Sequence, residues 1–405
     1  MAGQIFRAGK GSINSYFYQR KIGFMTNLNV IVGRMKRNYT FLYNRYSLKR
    51  TWIRNAVLLF LAILIYLAGY FPSAVEYWYS ANWFKRIASI QRTLLGWLPF
   101  SAGDLLYISW GLALIIGVIQ LFRVIFNKTF TWQWLWLKLS RLVGKLLFIY
   151  VFFYLVWGLN YSRLGIAYQL HLDEQPYSTP TLDSITQELL HKTNAARLQL
   201  GPDTNYVYPD YQEIITGTKE AYSKLEQQFP FLAYRRASIK PSMFSELLMY
   251  MGTAGYYNPF TGEAQVNIKV PPGDLPYITC HEVSHQLGYG DESEANFVGY
   301  LAAKAAGNPV FAYSVYTDLF RYANSELYLR DSSAARRNYR ALDTLVKIDL
   351  RARRRYYLKY KNRAEPVISF FYGQYLKANH QPQGVDTYNA VTGWLVAYRK
   401  KYGEL

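Results

Sequence analysis

Two histidines and a glutamate in the C-terminal half of the chain have the spacing of a metal site. His281 and His285 lie four residues apart in a His-Glu-x-x-His pattern, so a helix places both imidazoles on one face. Two imidazoles on one face can bind one zinc ion, and the glutamate that follows the first histidine can act as a general base. The chain holds only five histidines. We therefore predict a zinc site with His281 and His285 as ligands and Glu282 as the base.

A third protein ligand is expected, because a catalytic zinc site has three protein ligands and one open position. Residues 288–290 (Gly-Tyr-Gly) predict the end of the first helix, since Gly is common just past a helix end. Asp291 is a suitable N-cap for a second helix, and Glu294 lies where a capping-box carboxylate would reach back. Glu292 and Asn296 then share one face. We predict Glu292 as the third ligand and Asn296 as the residue that orients a histidine ring.

This arrangement resembles the gluzincin metallopeptidases, in which a helix with a Glu-x-x-x-Asp/Asn pattern follows the His-Glu-x-x-His helix. The resemblance implies that Glu292 binds zinc and that Asn296, where Asp is usual, supports a ligand. Two alternatives remain open. Asp291 lies where metzincin-like enzymes place their third ligand, and Glu294 becomes the ligand if the second helix begins earlier than the Asp291 cap predicts.

Three apolar runs in the N-terminal part of the chain predict membrane spans. Residues 55–75 are 21 consecutive uncharged residues, a length that fits the hydrocarbon thickness of a bilayer. Residues 105–122 and 146–162 form shorter runs of 18 and 17 residues. Trp and Tyr side chains at 77–83 follow the first run, as is typical of a lipid–water interface. We predict an α-helical membrane domain, a three-helix transmembrane anchor over residues 55–162.

The formal net charge of +20 is concentrated beside these runs. Residues 1–54 hold 11 Lys or Arg and no acidic residue, and residues 123–145 hold five and none. Basic residues favour the cytoplasmic side of a membrane. We therefore expect residues 1–54, which lack the apolar core of a cleaved signal peptide, to form a basic cytoplasmic arm, and residues after 162 to lie outside the cytoplasm. This distribution indicates the lipid bilayer as a partner and argues against nucleic-acid binding.

Residues 163–405 are predicted to form a mainly α (α+β) zincin-like domain, with a small sheet before the zinc helix. Residues 256–258 and 263–268 flank a Pro-Phe-Thr-Gly sequence at 259–262, which is a plausible hairpin turn. In zincins a strand pair precedes the metal helix. We expect the last strand to be an edge strand, on which a peptide substrate lies by β-addition.

The whole layout also resembles a bacterial family of uncharacterised membrane proteins, over roughly residues 50–400. The shared features are the three N-terminal spans and three short sequences: Pro-Phe-Ser-Ala-Gly-Asp at 99–104, Asn-Pro-Phe-Thr-Gly-Glu-Ala at 258–264 and Tyr-Leu-Lys-Ala-Asn at 375–379. This resemblance implies a bacterial inner-membrane protein with a zincin-like domain attached to the membrane anchor.

These predictions favour a membrane-anchored zinc metallopeptidase that hydrolyses peptide bonds outside the cytoplasm. A zinc-activated water attacks the peptide carbonyl, while Glu282 accepts its proton and passes it to the leaving nitrogen. His380 and several tyrosines are candidates for stabilising the oxyanion. The alternative is a non-catalytic membrane scaffold or sensor with a structural or vestigial zinc site, for which Cys280 is the only thiol available as a fourth ligand. We predict that Cys280 is instead a small packed residue. The acidic residues around the motif argue against an intramembrane protease.

Overall fold

The computed structural model describes residues 48–173, 175–204, 206–379, 381, 384 and 390–405. Most of the predicted cytoplasmic arm, residues 1–47, and the candidate residue His380 lie outside the described residues. The described chain is mostly helical with one small sheet, which confirms the coarse prediction of fold class. The zincin-like character and the domain boundaries stay predictions.

The helices and strands follow one another in a simple order, with the sheet placed before the His-Glu-x-x-His helix. They are α1 (Leu48–Ala68), α2 (Phe84–Leu95), α3 (Ala102–Phe126), α4 (Trp132–Val156), α5 (Gly165–Leu170), α6 (Thr179–Gln199), α7 (Tyr211–Gln228), β1 (Ile239–Pro241), α8 (Ser245–Met251), β2 (Gly255–Asn258), β3 (Glu263–Val266), α9 (Leu275–Gln286), α10 (Glu292–Ala305), α11 (Pro309–Arg330), α12 (Ser332–Ala341), α13 (Thr344–Leu358), α14 (Glu365–Ala378) and α15 (Val391–Tyr402). A short helical turn, Pro72–Ala74, and a π-helical segment, Val75–Trp83, precede α2, and a 3-10 turn, Gly158–Ser162, follows α4.

Three of these helices, α1, α3 and α4, are long and apolar enough to cross a membrane. Their mean hydropathies are 1.9, 2.1 and 1.8. The three predicted spans therefore exist as helices, and the chain has the helices of a membrane protein. Which membrane they occupy, and in which orientation, stays a prediction.

The bounds of all three helices differ from the predicted apolar runs. α3 extends beyond residues 105–122 at both ends. α1 ends at Ala68 rather than at residue 75, because Pro72 disfavours helical backbone in the residue before it, and Phe71 has ψ 71. α4 begins at Trp132 and ends at Val156 rather than at residue 162, and residues 158–162 form the 3-10 turn. Residues 132–145, expected in a cytoplasmic loop, are therefore helical. Lys and Arg are good helix formers, and their charge marks the flank of the apolar run but not the end of the helix.

The chain forms two compact units, and the first comprises the described residues 48–63 together with 121–151. Within it, the Asn55 side-chain amide donates a hydrogen bond of 2.8 Å to the Ser140 carbonyl. Asn55 and Ser140 are buried, and this polar contact between α1 and α4 is of the kind that joins helices in an apolar surrounding.

The second unit, residues 64–120 and 152–405, contains the sheet. Its strand order is β1-β3-β2, with β3 parallel to β1 and antiparallel to β2. The predicted hairpin is confirmed: Gly262 N–H donates to the Asn258 carbonyl at 2.8 Å, and Gly262 has φ +70. The prediction that the last strand is an edge strand is wrong. β3 lies in the centre because β1, which comes earlier in the chain, pairs with its other side.

The two helices of the predicted metal site, α9 and α10, pack closely in the core of this unit. Gly288, with φ +90, follows the end of α9, and Asp291 caps α10 by accepting hydrogen bonds from the N–H groups of Ser293 and Glu294, as predicted. A Cβ added at Gly299 on α10 would lie 3.1 Å from the backbone nitrogen of His281 on α9. The absence of a side chain at Gly299 therefore lets the two helices approach.

The predicted capping box of α10 is wrong. The Glu294 carboxylate accepts a hydrogen bond of 2.8 Å from the backbone N–H of Ile166, at the start of α5. A contact 128 residues away in the chain thus replaces the local one. Cys280 is fully buried, as predicted for a packed residue.

Candidate metal centre

Three side chains meet in the interior between α9 and the first turn of α10. The Nε2 atoms of His281 and His285 lie 3.1 Å apart. Oε2 of Glu292 lies 3.3 Å from Nε2 of His281 and 3.5 Å from Nε2 of His285. All three residues are buried, and among the described residues they form a group whose ligand atoms could hold one metal ion.

The spacing of these three atoms fits a tetrahedral ion. Zinc bonds of 2.0–2.2 Å separate tetrahedral ligand atoms by about 3.3–3.6 Å, close to the observed 3.1–3.5 Å. Oε2 of Glu292 is buried and accepts no hydrogen bond, although a buried carboxylate oxygen normally has a donor. The donor set of two imidazoles and one carboxylate is that of a zinc site with one open position. The residues therefore fit the ion that the sequence predicts.

Hydrogen bonds at the far side of each ring orient the two imidazoles. Nδ1 of His281 lies 2.8 Å from Oδ1 of Asn296, and Nδ1 of His285 lies 2.7 Å from the carbonyl oxygen of Tyr289. Because the carbonyl oxygen only accepts, Nδ1 of His285 carries a proton. Nε2, on the other side of the ring, is then the atom that binds either a metal ion or a second proton. The structure thus places Asn296 against His281, where the sequence prediction requires it.

The electrostatics of the site favour a positive charge between these groups. Burial lowers the pKa of His285, but the Glu292 carboxylate outweighs burial and raises that pKa to about 9. Burial likewise raises the pKa of Glu292, and the two histidine rings outweigh it and hold the carboxyl well below its usual range. The Glu292 carboxylate therefore stabilises a proton or a metal ion placed between it and the two imidazole rings. Its described contacts include no Lys or Arg side chain that would neutralise it instead.

The structure separates the three acidic residues that the sequence left as alternatives. Glu292 faces the histidines. Asp291 is occupied as the cap of α10, and Glu294 is turned towards the backbone of Ile166. Of the three carboxylates, only that of Glu292 therefore lies beside both imidazole rings. Its binding of a metal ion stays a prediction.

Glu282 lies off the shared face of the histidines and against strand β2. A Cβ added at Gly255 would lie 2.5 Å from Oε1 of Glu282, so the carboxylate lies directly beside the strand backbone. Its Oε2 is buried without a hydrogen-bond partner. Burial raises the pKa of Glu282, the histidine rings lower it and the net value is about 7. A carboxyl group with this pKa can accept and return a proton near neutral pH.

Tyrosines on α14 complete the surroundings of the centre, and the sequence prediction did not select them. The Tyr372 hydroxyl donates to Oε1 of Glu292 at 2.7 Å, which leaves Oε2 facing the rings. Tyr375, one turn later, shares a 3.0 Å hydrogen bond with the Tyr161 hydroxyl. Burial raises the pKa of Tyr375 to about 12, so its hydroxyl is protonated at neutral pH. The sequence indicated them only through the unspecific expectation of an oxyanion-stabilising tyrosine and through the Tyr-Leu-Lys-Ala-Asn segment at 375–379, which contains Tyr375 but not Tyr372.

The C-terminal end of α9 is held by one residue from α2 and one that follows α4. The indole Nε1 of Trp157, the residue after α4, donates to the His285 carbonyl at 3.1 Å. Arg92 on α2 donates to the Gln286 carbonyl at 3.0 Å. The sequence contains no local indication of these contacts, because each joins segments more than 120 residues apart.

Comparison with known proteins leaves the activity open and settles the family. No curated protein and no solved structure matches the chain. A family model described as "Protein of unknown function (DUF3810)" matches residues 79–396, a segment that includes two of the three apolar helices, the sheet and all the residues of the candidate metal centre. Since the match covers well over half of the chain, the chain belongs to this family.

Proposed function

We propose that the protein is a membrane-anchored zinc metallopeptidase. The observation that carries this proposal is the group of three potential ligand atoms, 3.1–3.5 Å apart. The buried carboxyl group of Glu282 lies next to this group without being part of it. Two imidazoles and one carboxylate with an open fourth position are the ligands of catalytic zinc in peptidases. Glu282 supplies the remaining requirement, a base within the same site.

Each residue of the site then has a chemical task. Zinc in this position supplies Lewis acidity, which polarises a carbonyl and makes water nucleophilic at neutral pH. Glu282 accepts a proton from the attacking water and returns it to the leaving nitrogen, for which its pKa of about 7 is suited. Asn296 and the Tyr289 carbonyl hold the rings in orientation, and Tyr372 holds Glu292.

Strand β2 is the proposed support for the substrate. Among the described strands it pairs only with β3, so no strand covers its other edge, and its first two residues are partly exposed. An extended peptide is proposed to add along this part of the edge. Gly255 on this strand adjoins the Glu282 carboxylate. A peptide added along β2 therefore runs beside the base.

A closed structural metal site is the less favoured alternative. A structural zinc has four protein ligands, and Cys280 was the thiol considered for the fourth. Cys280 is not part of the group formed by His281, His285 and Glu292. Its pKa is raised by burial to about 12, which disfavours the thiolate that binds zinc.

The test uses the full chain, purified in detergent, and the matched variant Glu282→Gln. We expect about one zinc per chain in both proteins, and chelator-sensitive hydrolysis of a peptide mixture by the wild type. Glu282→Gln keeps size and shape but cannot accept the proton, so hydrolysis falls by about 10²–10⁴-fold. Equal hydrolysis by both proteins, or zinc-loaded wild type without any cleavage of the mixture, would count against the peptidase.

A further inference from the structure

Helix α2 and the residues next to its two ends form an exposed apolar stripe. Trp83, Ile90 and Leu94 are 61%, 60% and 63% exposed, and Trp97, just after the helix, is 74% exposed. At 100° per residue, the first three lie within about 40° of one another around the helix axis. No other described residue buries this stripe.

The other faces of α2 contact the protein through buried and polar side chains. Phe84, Ala88 and Arg92 are buried on a second face. Lys85 lies half a turn away from Leu94 around the axis, and its amino group donates to the Phe231 carbonyl at 3.3 Å. The helix thus has one face packed on the protein, one polar face and one apolar face directed outwards.

The connections of α2 confine it to the end of a membrane-spanning helix. α2 ends at Leu95 and α3 begins at Ala102. The start of α3 is fastened to the sheet, because the Glu263 carboxylate on β3 accepts hydrogen bonds from the N–H groups of Ala102 and Gly103 at 3.1 and 2.7 Å. Asp104 is also fastened, by the Met243 N–H at 2.6 Å. An amphipathic helix at this position has the bilayer interface beside it.

We propose that α2 lies in the lipid–water interface, with Trp83, Ile90, Leu94 and Trp97 inserted among the lipids. Tryptophan is the residue most typical of this level of the bilayer, and an apolar helix face opposite a polar one binds there in proportion to its buried apolar area. The partner that fits the stripe is therefore the surface of the membrane that the neighbouring helix crosses.

This docking holds the candidate metal centre at the membrane surface. Arg92, on the packed face of α2, donates to the carbonyl of Gln286 at the end of α9. Trp157, next to the end of α4, donates to the carbonyl of His285 itself. For the peptidase, the resulting substrate class is a peptide segment close to the bilayer, in a chain tethered to the same membrane. This last step rests on the proposed function, whereas the docking of α2 does not.

Spin labels measure the docking directly. The full chain in proteoliposomes carries one nitroxide at Leu94→Cys, and its accessibility to oxygen and to a water-soluble nickel chelate is compared with two controls. Lys85→Cys lies on the polar face of the same helix, and Leu329→Cys replaces a leucine that is 86% exposed on α11. The native Cys280 is fully buried, so it does not compete for the label.

We expect the Leu94 label to be reached by oxygen and shielded from nickel, and the two control labels to show the reverse. Equal nickel access at Leu94 and Leu329 would overturn the docking. So would a Leu94 label shielded from both reagents and coupled to a second label, because the stripe would then be an interface between two copies of the chain.

The substrate class has its own test. One peptide is prepared in two forms, with and without an attached acyl chain, and each form is added to wild-type proteoliposomes. The acyl chain tethers the peptide to the bilayer, which is expected to raise its cleavage at low peptide concentration by roughly tenfold or more. Ile90→Lys/Leu94→Lys should lose this preference, while Leu329→Lys, checked for equal zinc, retains it. Equal cleavage of both peptides by the wild type would overturn the substrate class alone. Cleavage of neither peptide, with Leu94 shielded from nickel, would count against the peptidase and leave the docking established.

Discussion

The hydroxyl of Tyr372 donates a 2.7 Å hydrogen bond to one oxygen of Glu292, while the other oxygen of that carboxylate faces His281 and His285. Helix α14, more than 70 residues after the histidine helix, therefore orients one side of the candidate metal centre. The carboxylate is held so that Oε2, which has no hydrogen-bond donor, remains directed at the rings.

Tyr372→Phe should weaken zinc binding, because removal of a hydrogen bond that orients a metal ligand typically costs about 10–100-fold in metal affinity. Competition with a chelator of known affinity measures the change. Tyr375→Phe is the matched control on the same helix, since its hydroxyl bonds Tyr161 and not Glu292. A smaller effect for Tyr372→Phe than for Tyr375→Phe would contradict the assigned role.

The acidic ligand can be identified by comparing three carboxylates within four residues. Glu292→Ala should lose stoichiometric zinc, as should His281→Ala. Glu294→Gln and Asp291→Asn should keep it, because their side chains serve the backbone of α5 and the cap of α10. Zinc content of the purified proteins is the measurement. Retention of zinc by Glu292→Ala together with its loss in Glu294→Gln would reverse the assignment.

Gly255→Ala should reduce hydrolysis while zinc remains bound. The added Cβ would lie 2.5 Å from Oε1 of Glu282 and 2.8 Å from the backbone oxygen of Gln265, so the base or the strand must shift. Gly111→Ala on α3, where a Cβ meets nothing within 4 Å, serves as the control. The turnover number and zinc content of the two variants are compared. Full activity of Gly255→Ala would show that the base is not held at this strand.

A buried ion pair beside the site should contribute strongly to stability. Arg163 Nη2 lies 2.7 Å from Glu76, and both side chains are under a tenth exposed. Arg163→Ala leaves a buried carboxylate unpaired, at a cost of about 3–5 kcal/mol. The exposed pair of Arg235 and Glu226 is the control, for which Arg235→Ala should cost about 0–1 kcal/mol. Thermal unfolding in detergent measures both, and equal shifts would contradict the burial argument.

The same pair predicts a pH dependence of stability. Burial raises the pKa of Glu76, but Arg163 outweighs burial and holds it below its ordinary 4.5. A carboxyl group whose pKa is lowered in the folded state binds fewer protons there than in the unfolded state. Its stabilisation is present above pH 4.5 and is lost as pH falls through the folded-state pKa. Glu76→Gln should therefore remove part of the loss of stability that the wild type shows below pH 4.5.

The orientation of the membrane helices is open to a direct test. The charge distribution predicts that a reporter after residue 405 lies outside the cytoplasm and that one near Lys128, between α3 and α4, lies inside. Paired reporters, one active only in the cytoplasm and one only outside it, give the answer. A cytoplasmic signal from the C-terminal fusion would refute this orientation.

Local patterns in the sequence were sufficient for several features of this protein. Apolar runs of bilayer length predicted three helices, since length and composition alone decide whether a helix can cross the membrane. The spacing of His281 and His285 placed both rings on one helix face, and Asp291 predicted the start of α10. Each of these inferences depends on residues within about one or two helical turns, where the backbone geometry is fixed.

The tertiary structure decided everything that depends on distant partners. The Asp291 cap already favoured Glu292 over Glu294 as the residue facing the histidines, but the sequence predicted a local capping box for Glu294, and only the approach of α5 places the Ile166 N–H against its carboxylate. β3 became the central strand because β1 pairs with it, and Tyr372 reached Glu292 from a helix 80 residues later. Such contacts arise from packing between elements far apart in the chain, and no local periodicity records them.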